Sequence, residues 1–288
     1  MGNLTRADQL DLLFSARYSE SDMGFVGRSL ALCCLPRTSP GTRTQYERVN
    51  GPYTLYMIAG GGCKLPYGNL PRLLLAWVAT EAVKTQSRDL QLGASLSEFM
   101  RQLGIYNTGG RLHRRVRDQM ERLFSAQISL VYEVVAGKVR SSSLIAEHVE
   151  FWWSLKDPDA PAFWSSWIRL SETFYHDIVS APVPIDLNVL RALKRSSLGL
   201  DLYLWLVYRI FLLKGPVQLS WRRLYRQFAA HPEKAGNKLL VNDFRNKCLR
   251  ELKKITIAWP DLKYSTARGV LILYPSKPAI APSARAGN

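Results

Sequence analysis

Two segments of this chain set guanidinium and carboxamide groups opposite an apolar stripe. In Arg111–Ser125, projection at about 100° per residue gathers Leu112, Val116, Met120, Leu123 and Phe124 on one face. Arg111, Arg114, Arg115, Asp118 and Arg122 fall on the other, with Arg117 on a flank. In Lys238–Lys254 the stripe is Leu240, Val241, Phe244, Cys248 and Leu252, continued by Ile255. Opposite lie Asn242, Asn246, Arg250 and Lys253, with Arg245 and Lys247 on the flanks and Lys238 at the start. Arginine can donate a parallel pair of hydrogen bonds to guanine O6 and N7 or pair with phosphate, and asparagine can pair with adenine N6 and N7. A mixed Asn/Arg face therefore suits sequence reading, whereas an all-lysine face mostly supplies affinity. His113 falls near the apolar face and is expected to pack.

A helix presents such a face to a major groove only if its other face rests on a second helix. The order of elements supplies one, twice. The first copy runs from the apolar helix at Leu70 through a short strand to helix Ser95–Leu103. There Ser95 is an N-cap with Glu98 three residues on, a capping-box pattern. The turn Asn107-Thr108-Gly109-Gly110 precedes the arginine-bearing helix. A hairpin of alternating residues follows, Gln127–Val135 and Lys138–Ile145, turning at Ala136-Gly137. Its tip offers Lys138 and Arg140 to backbone phosphates. The second copy begins at Leu198. Ser220 caps Trp221–Phe228, His231 to Asn237 make a longer turn, and a strand pair around Lys263 to Leu273 turns at Arg268-Gly269. This is the order of a winged helix-turn-helix. The fold class expected is α+β: two tandem winged helix-turn-helix domains with a small N-terminal extension.

The extension, residues 1–64, reads as an amphipathic helix (Leu4–Tyr18), a linker (Ser19–Gly27) and two extended runs, Ser29–Leu35 and Tyr53–Ile58, able to pair. Gly60-Gly61-Gly62-Cys63-Lys64 reads as a flexible joint; Cys63 before Lys64 and Leu65 after it break the phosphate-loop pattern. The first domain is assigned to 65–165 and the second, with an added helix Leu187–Lys194, to 166–275. The aromatic stretch Phe151–Trp167 connects them, and the Pro/Ala-rich tail, 276–288, is expected to be disordered.

Composition sets the outer bounds. With 47% hydrophobic and 22% charged residues the chain is globular, and its 288 residues are enough for two cores. A net charge of +16 favours a polyanionic partner. Cys33, Cys34, Cys63 and Cys248 show no paired C-x-x-C spacing; with no secretory signal read at the start, they fit buried thiols in a reducing cytoplasm. The most apolar helix, Leu198–Leu213, is interrupted by Asp201 and Arg209, so no membrane partner is expected. The four histidines form no His-x-His pair beside a tyrosine, and His113-Arg114-Arg115 is a poor match to a tyrosine recombinase. H-E-x-x-H, G-x-S-x-G and clustered carboxylates are missing. No catalysis, metal or cofactor is expected.

The stretch Leu65–Gly104 (LPYGNLPRLLLAWVATEAVKTQSRDLQLGASLSEFMRQLG), with Thr108-Gly109-Gly110 and Asp118–Leu130 (DQMERLFSAQISL), resembles the plasmid-encoded RepA replication initiators of Gram-negative bacteria. Trp167–Ile178, Leu200–Arg209, Ser220–Phe228 and Phe244–Lys254 extend the likeness, which spans roughly Gly24 to Ser276. The LPYG, PRLLLAW and TEAV motifs are its most specific part. Between Gly110 and Asp118 the base-contact assignments rest on helical projection alone. The resemblance implies a protein that binds repeated sites in double-stranded DNA at its plasmid's origin and helps open an A·T-rich segment. It implies recruitment of the host initiator and the replicative helicase or its loader. It also implies homodimer formation through residues before Leu65 or the first sheet, and a cytoplasmic, plasmid-associated location. The alternative function is a repressor that occupies an operator without opening it.

Overall fold

The computed structural model describes residues 23–32, 34–106, 109–134, 137–154, 156–160, 162 and 165–280. The expected helix Leu4–Tyr18, the turn residues Asn107, Thr108 and Ala136, Cys33 and residues 281–288 lie outside the described residues. The elements are β1 (Met23–Gly27), α1 (Arg28–Leu32), β2 (Gln45–Asn50), β3 (Tyr53–Ile58), α2 (Asn69–Thr85), β4 (Asp89–Gly93), α3 (Leu96–Gln102) and α4 (Gly110–Phe124). Then come β5 (Gln127–Val134), β6 (Gly137–Leu144), β7 (Ala146–Glu150), β8 (Ser166–Leu170), α5 (Glu172–Ser180), β9 (Pro182–Asp186), α6 (Leu187–Ala192) and α7 (Ser197–Phe211). The chain continues with β10 (Val217–Ser220), α8 (Trp221–Phe228), a 3-10 turn (Pro232–Gly236), α9 (Lys238–Ala258), β11 (Tyr264–Ala267) and β12 (Val270–Leu273).

The second half follows the expected plan. Helix α7 is apolar on nearly every side because it is enclosed, from Leu198 to Ile210. Its start is capped by Ser196 Oγ, that of α8 by Ser220 Oγ, and that of α9 by Asn237 Oδ1, which accepts from the Leu239 and Leu240 amides. The strands order as β10-β12-β11. Gly269 closes the hairpin at φ 79°, where a side chain would be strained. Its carbonyl accepts from the Trp221 amide at 3.1 Å and ties the wing to α8. Helix, strand, helix, helix and hairpin form a complete winged helix.

The first half begins with the same order and closes differently. Ser95 Oγ accepts from the Glu98 amide at 3.1 Å, and the Glu98 carboxylate accepts from the Ala94 amide at 2.8 Å. The capping box forms, with its return bond one residue early. Strands β5 and β6 pair as the expected hairpin, but they do not join β4. Instead β5 pairs with β3 in a sheet ordered β2-β3-β5-β6, and β4 pairs with β8, which pairs with β7. Strand β8 begins inside the stretch read as a connector. An open hairpin edge needs a partner; β3, burying Leu55 and Met57 and turning Tyr56 and Ile58 outward, supplies it.

The N-terminal segment adds strands to both halves, β3 to the first through β5 and β1 to the second through β9. The expected linker contains β1, which pairs antiparallel with β9 and lies on α2, where the Phe25 amide donates to Thr80 Oγ1 at 2.9 Å. Packing is tight at Gly24: a Cβ would lie 2.4 Å from Leu187 Cδ2 and 2.9 Å from Thr80 Oγ1, so a larger residue would push Leu187 aside. The expected extended run at Ser29–Leu35 overlaps α1, which spans Arg28–Leu32, because a short apolar run suits a buried helix as well as a strand. Strand β3 pairs instead with β2. The glycine run at 60–62 is a tight turn against α4 rather than a free joint: a Cβ at Gly60 would lie 2.1 Å from the Ser125 carbonyl. Residues 276–280, expected to be disordered, are packed in the fold. Trp259 Nε1 donates to the Lys277 carbonyl, and Ala279 and Ile280 are buried.

The two halves share one continuous apolar core, and polar ties cross between them. Arg72 of α2 is buried against Asp201 of α7: Nε donates to Oδ1 at 2.6 Å and Nη2 to Oδ2 at 2.7 Å. The same guanidinium donates to the carbonyls of Leu35, Pro36 and Gly68. Burial works to lower its pKa, but the Asp201 charge and hydrogen bonds prevail and hold it above its ordinary value. At the far end of α8, Arg48 Nη1 donates to the Arg226 carbonyl at 3.1 Å and Arg37 Nη1 to that of Phe228 at 3.0 Å. They satisfy carbonyls that a helix end leaves unpaired, at its negative pole.

Candidate nucleic-acid interface

In α4 the apolar face is buried as projected: Val116, Met120, Leu123 and Phe124 are enclosed and Leu112 packs against them. His113 is only 3% exposed, with Nε2 at 3.2 Å from Ser97 Oγ. The arginines divide into two groups. Arg111, Arg114 and Arg115 are exposed near the N-terminal end, with Arg115 Nη2 donating to Asn69 Oδ1 at 3.4 Å. Arg117 and Arg122 are half-buried and engaged. Arg117 pairs with Glu121 at 2.8 Å and lies over the Phe151 ring, while Arg122 pairs with Asp118 at 2.8 Å and lies over Tyr67. Projection put Arg122 on the solvent face, but its long stem lets the head fold back. Lys138 and Arg140 occupy β6 opposite Glu133 and Val131; their side chains lie outside the described residues.

In α9 the stripe Phe244, Cys248, Leu252 and Ile255 is buried, and Asn242, Asn246, Arg250 and Lys253 are exposed on the opposite face. Lys247 is paired with Asp243 at 2.6 Å, one turn earlier. Burial pushes the Cys248 thiol well above its ordinary pKa, so it serves as packing. An open groove runs between the start of α9 and the wing. Lys238, Asn242, Arg245 and Arg268 line it, and Arg245 lies over the Trp221 ring. Four of the residues singled out from sequence thus meet in one concave, positively charged surface.

Sequence reasoning passed over Arg222, Arg223 and Arg226. All three are exposed on α8 and form no ion pair with a described residue. Their spacing in SWRRLYRQF, opposite Leu224, Tyr225 and Phe228, is the signal the sequence carries for them. Among the described residues no group of three His, Cys, Asp or Glu is placed to hold a metal ion, and no helix is long and apolar enough to cross a membrane.

Element order, sheet topology and the two exposed polar faces define a tandem winged-helix protein. The family model described as plasmid-encoded RepA protein matches residues 65–222, more than half of the chain, and ends just inside α8. This chain belongs to that plasmid-encoded RepA family. Two crystal structures of domains 2 and 3 of RctB share its fold. One is 13% identical with a TM-score of 0.54, covering 90% of this chain and 97% of the other. The second is 13% identical with a TM-score of 0.50, covering 85% and 95%. No curated protein sequence matches.

Proposed function

We propose that this protein initiates replication of its plasmid by binding repeated duplex sites at the origin through α4 and α9, without bond chemistry of its own. The observation that carries this reading is the groove between α9 and its wing, where Lys238, Asn242, Arg245 and Arg268 converge. Membership of the plasmid-encoded RepA family supports the plasmid context. Asparagine and arginine supply base-edge contacts, and the wing and flanking lysines supply phosphate contacts. Two heads joined through one core hold a fixed spacing, so binding energy can be directed into deforming the DNA between them. Opening of adjacent A·T-rich DNA and engagement of the host initiator and the helicase or its loader complete the proposed role. A homodimer and a cytoplasmic setting belong to the same proposal.

Footprinting of the purified protein on its plasmid's origin region, with permanganate probing of neighbouring thymines, tests this. Periodic protection with reactive thymines is the expected result. Protection of one promoter-proximal site with unreactive thymines would replace the initiator with a repressor. No protection at low salt would refute duplex binding altogether.

A further inference from the structure

The basic groove beside α9 does not end at the second winged helix. Ser220 and Arg222, at the start of α8, line that groove and also a second cleft, between α8 and the turn joining β2 to β3. This cleft belongs to both halves of the molecule. Its α8 wall presents Arg222, Arg223 and Arg226; its other wall presents Glu47, Asn50 and Gly51. Three guanidinium groups face one carboxylate, and Glu47 forms no ion pair with them. The backbone of Gly51 comes close to Arg223: a Cβ there would lie 3.8 Å from Nη2.

Gln227 also lines the cleft. It is only 5% exposed, yet its Nε2 has no hydrogen-bond acceptor among the described residues. A buried donor without an acceptor is costly, and a ligand oxygen relieves the cost. Amide N–H and paired guanidinium groups are the donors that hold phosphate. The cleft is tied across its two walls as well, since Arg37 and Arg48 fasten the C-terminal end of α8, beside Arg226 and Gln227, to the first half.

We propose that this cleft is a phosphate site for the DNA backbone between the two reading helices, with Arg223 and Gln227 as its principal donors. Continuity with the groove beside α9 favours a DNA strand over an acidic peptide: a strand in that groove passes Ser220 and Arg222 and enters the cleft. The site sets the spacing at which both heads engage. This inference rests on the duplex-binding reading above.

The test uses the full-length protein and a duplex selected from a random library. Single phosphates are replaced one at a time by neutral methylphosphonates, and binding is followed by fluorescence anisotropy across a salt series. Wild type should weaken at one or two phosphates lying between the segments protected by α4 and α9. Arg223→Ala should bind less tightly, lose about one unit of salt slope and become indifferent to those same replacements. Gln227→Leu, checked for folding by circular dichroism, should keep the slope and lose part of the sensitivity. Duplex binding by wild type with no sensitive phosphate in that interval overturns the proposal, as does an Arg223→Ala profile identical to wild type. No salt-dependent duplex binding by wild type refutes the parent reading, and this proposal with it.

Discussion

Removing the carboxylate at Asp201 isolates the tie between the two halves. Arg72 directs five hydrogen bonds inward, two to Asp201 and three to the carbonyls of Leu35, Pro36 and Gly68. The side chains of the pair are 2% and 6% exposed, so solvent cannot replace a lost partner. Asp201→Ala leaves the guanidinium charged and buried with only dipoles around it, and breaking such a pair costs about 3–5 kcal/mol. Asp201→Asn keeps the volume but turns an amide N–H toward a guanidinium N–H, and should fall near the lower end of that range. Arg72→Met with Asp201→Leu removes both charges and should recover only part of the loss: desolvation offsets much of a buried pair's attraction, but the carbonyls of Leu35, Pro36 and Gly68 lose the guanidinium donor. Urea unfolding followed by tryptophan fluorescence compares the three variants with wild type; adding Arg72→Met and Asp201→Leu alone closes a double-mutant cycle. The pair also joins the first helices of the two winged helices. Asp201→Ala should therefore tolerate a one- or two-base-pair change in half-site spacing better than wild type does. An Asp201→Ala loss below about 1 kcal/mol would refute the claim that the ion is uncompensated without its partner.

Asn246→Ala should cost about 1–3 kcal/mol on the selected site and relax specificity there; equal weakening on random DNA would remove its base-reading role. Arg268→Ala, at the wing tip, should weaken binding to all duplexes alike and lower the slope of log K against log salt by about one. An unchanged slope would take it out of the interface. Burial pushes the Tyr46 phenol up to about 12, against which the Arg48 charge works only in part. The folded protein thus holds this proton to higher pH than the unfolded chain. The stability it contributes is complete below about pH 10 and is lost as pH rises toward 12, by about 2–3 kcal/mol for a two-unit shift. Subtracting the alkaline unfolding curve of Tyr46→Phe from that of wild type should reveal the loss; parallel curves would contradict it.

Local periodicity carried far in this chain because it is a local property. Helix α8 spans the expected residues, α9 runs four residues past the expected Lys254, and the buried stripe Phe244, Cys248, Leu252 and Ile255 is the projected one. Ser95, Ser220 and Asn237 cap their helices because a side-chain oxygen beside free amides needs nothing from the rest of the fold. The arginines were legible as residues but not as free or engaged groups. Whether Arg122 reaches solvent or folds onto Asp118 and Tyr67 depends on where the segment from Leu65 to Gly68 comes to rest.

Strand partnership lay beyond the sequence. Strand β5 could pair with β4 or β3, and hydrogen bonding between backbones carries no residue label; the inward faces and the edges left open decided it. The same holds for β1 with β9, which turned an apparent linker into a bridge between halves. Asp201 read as an interruption in an apolar helix, and only the approach of α2 showed it to be the partner of Arg72. Sequence by itself determined two basic helices, their supporting helices and their caps, through contacts within a few residues. Tertiary structure decided how the copies share a core, which strands close each sheet and where α8 opens a cleft, because those contacts join residues far apart in the chain.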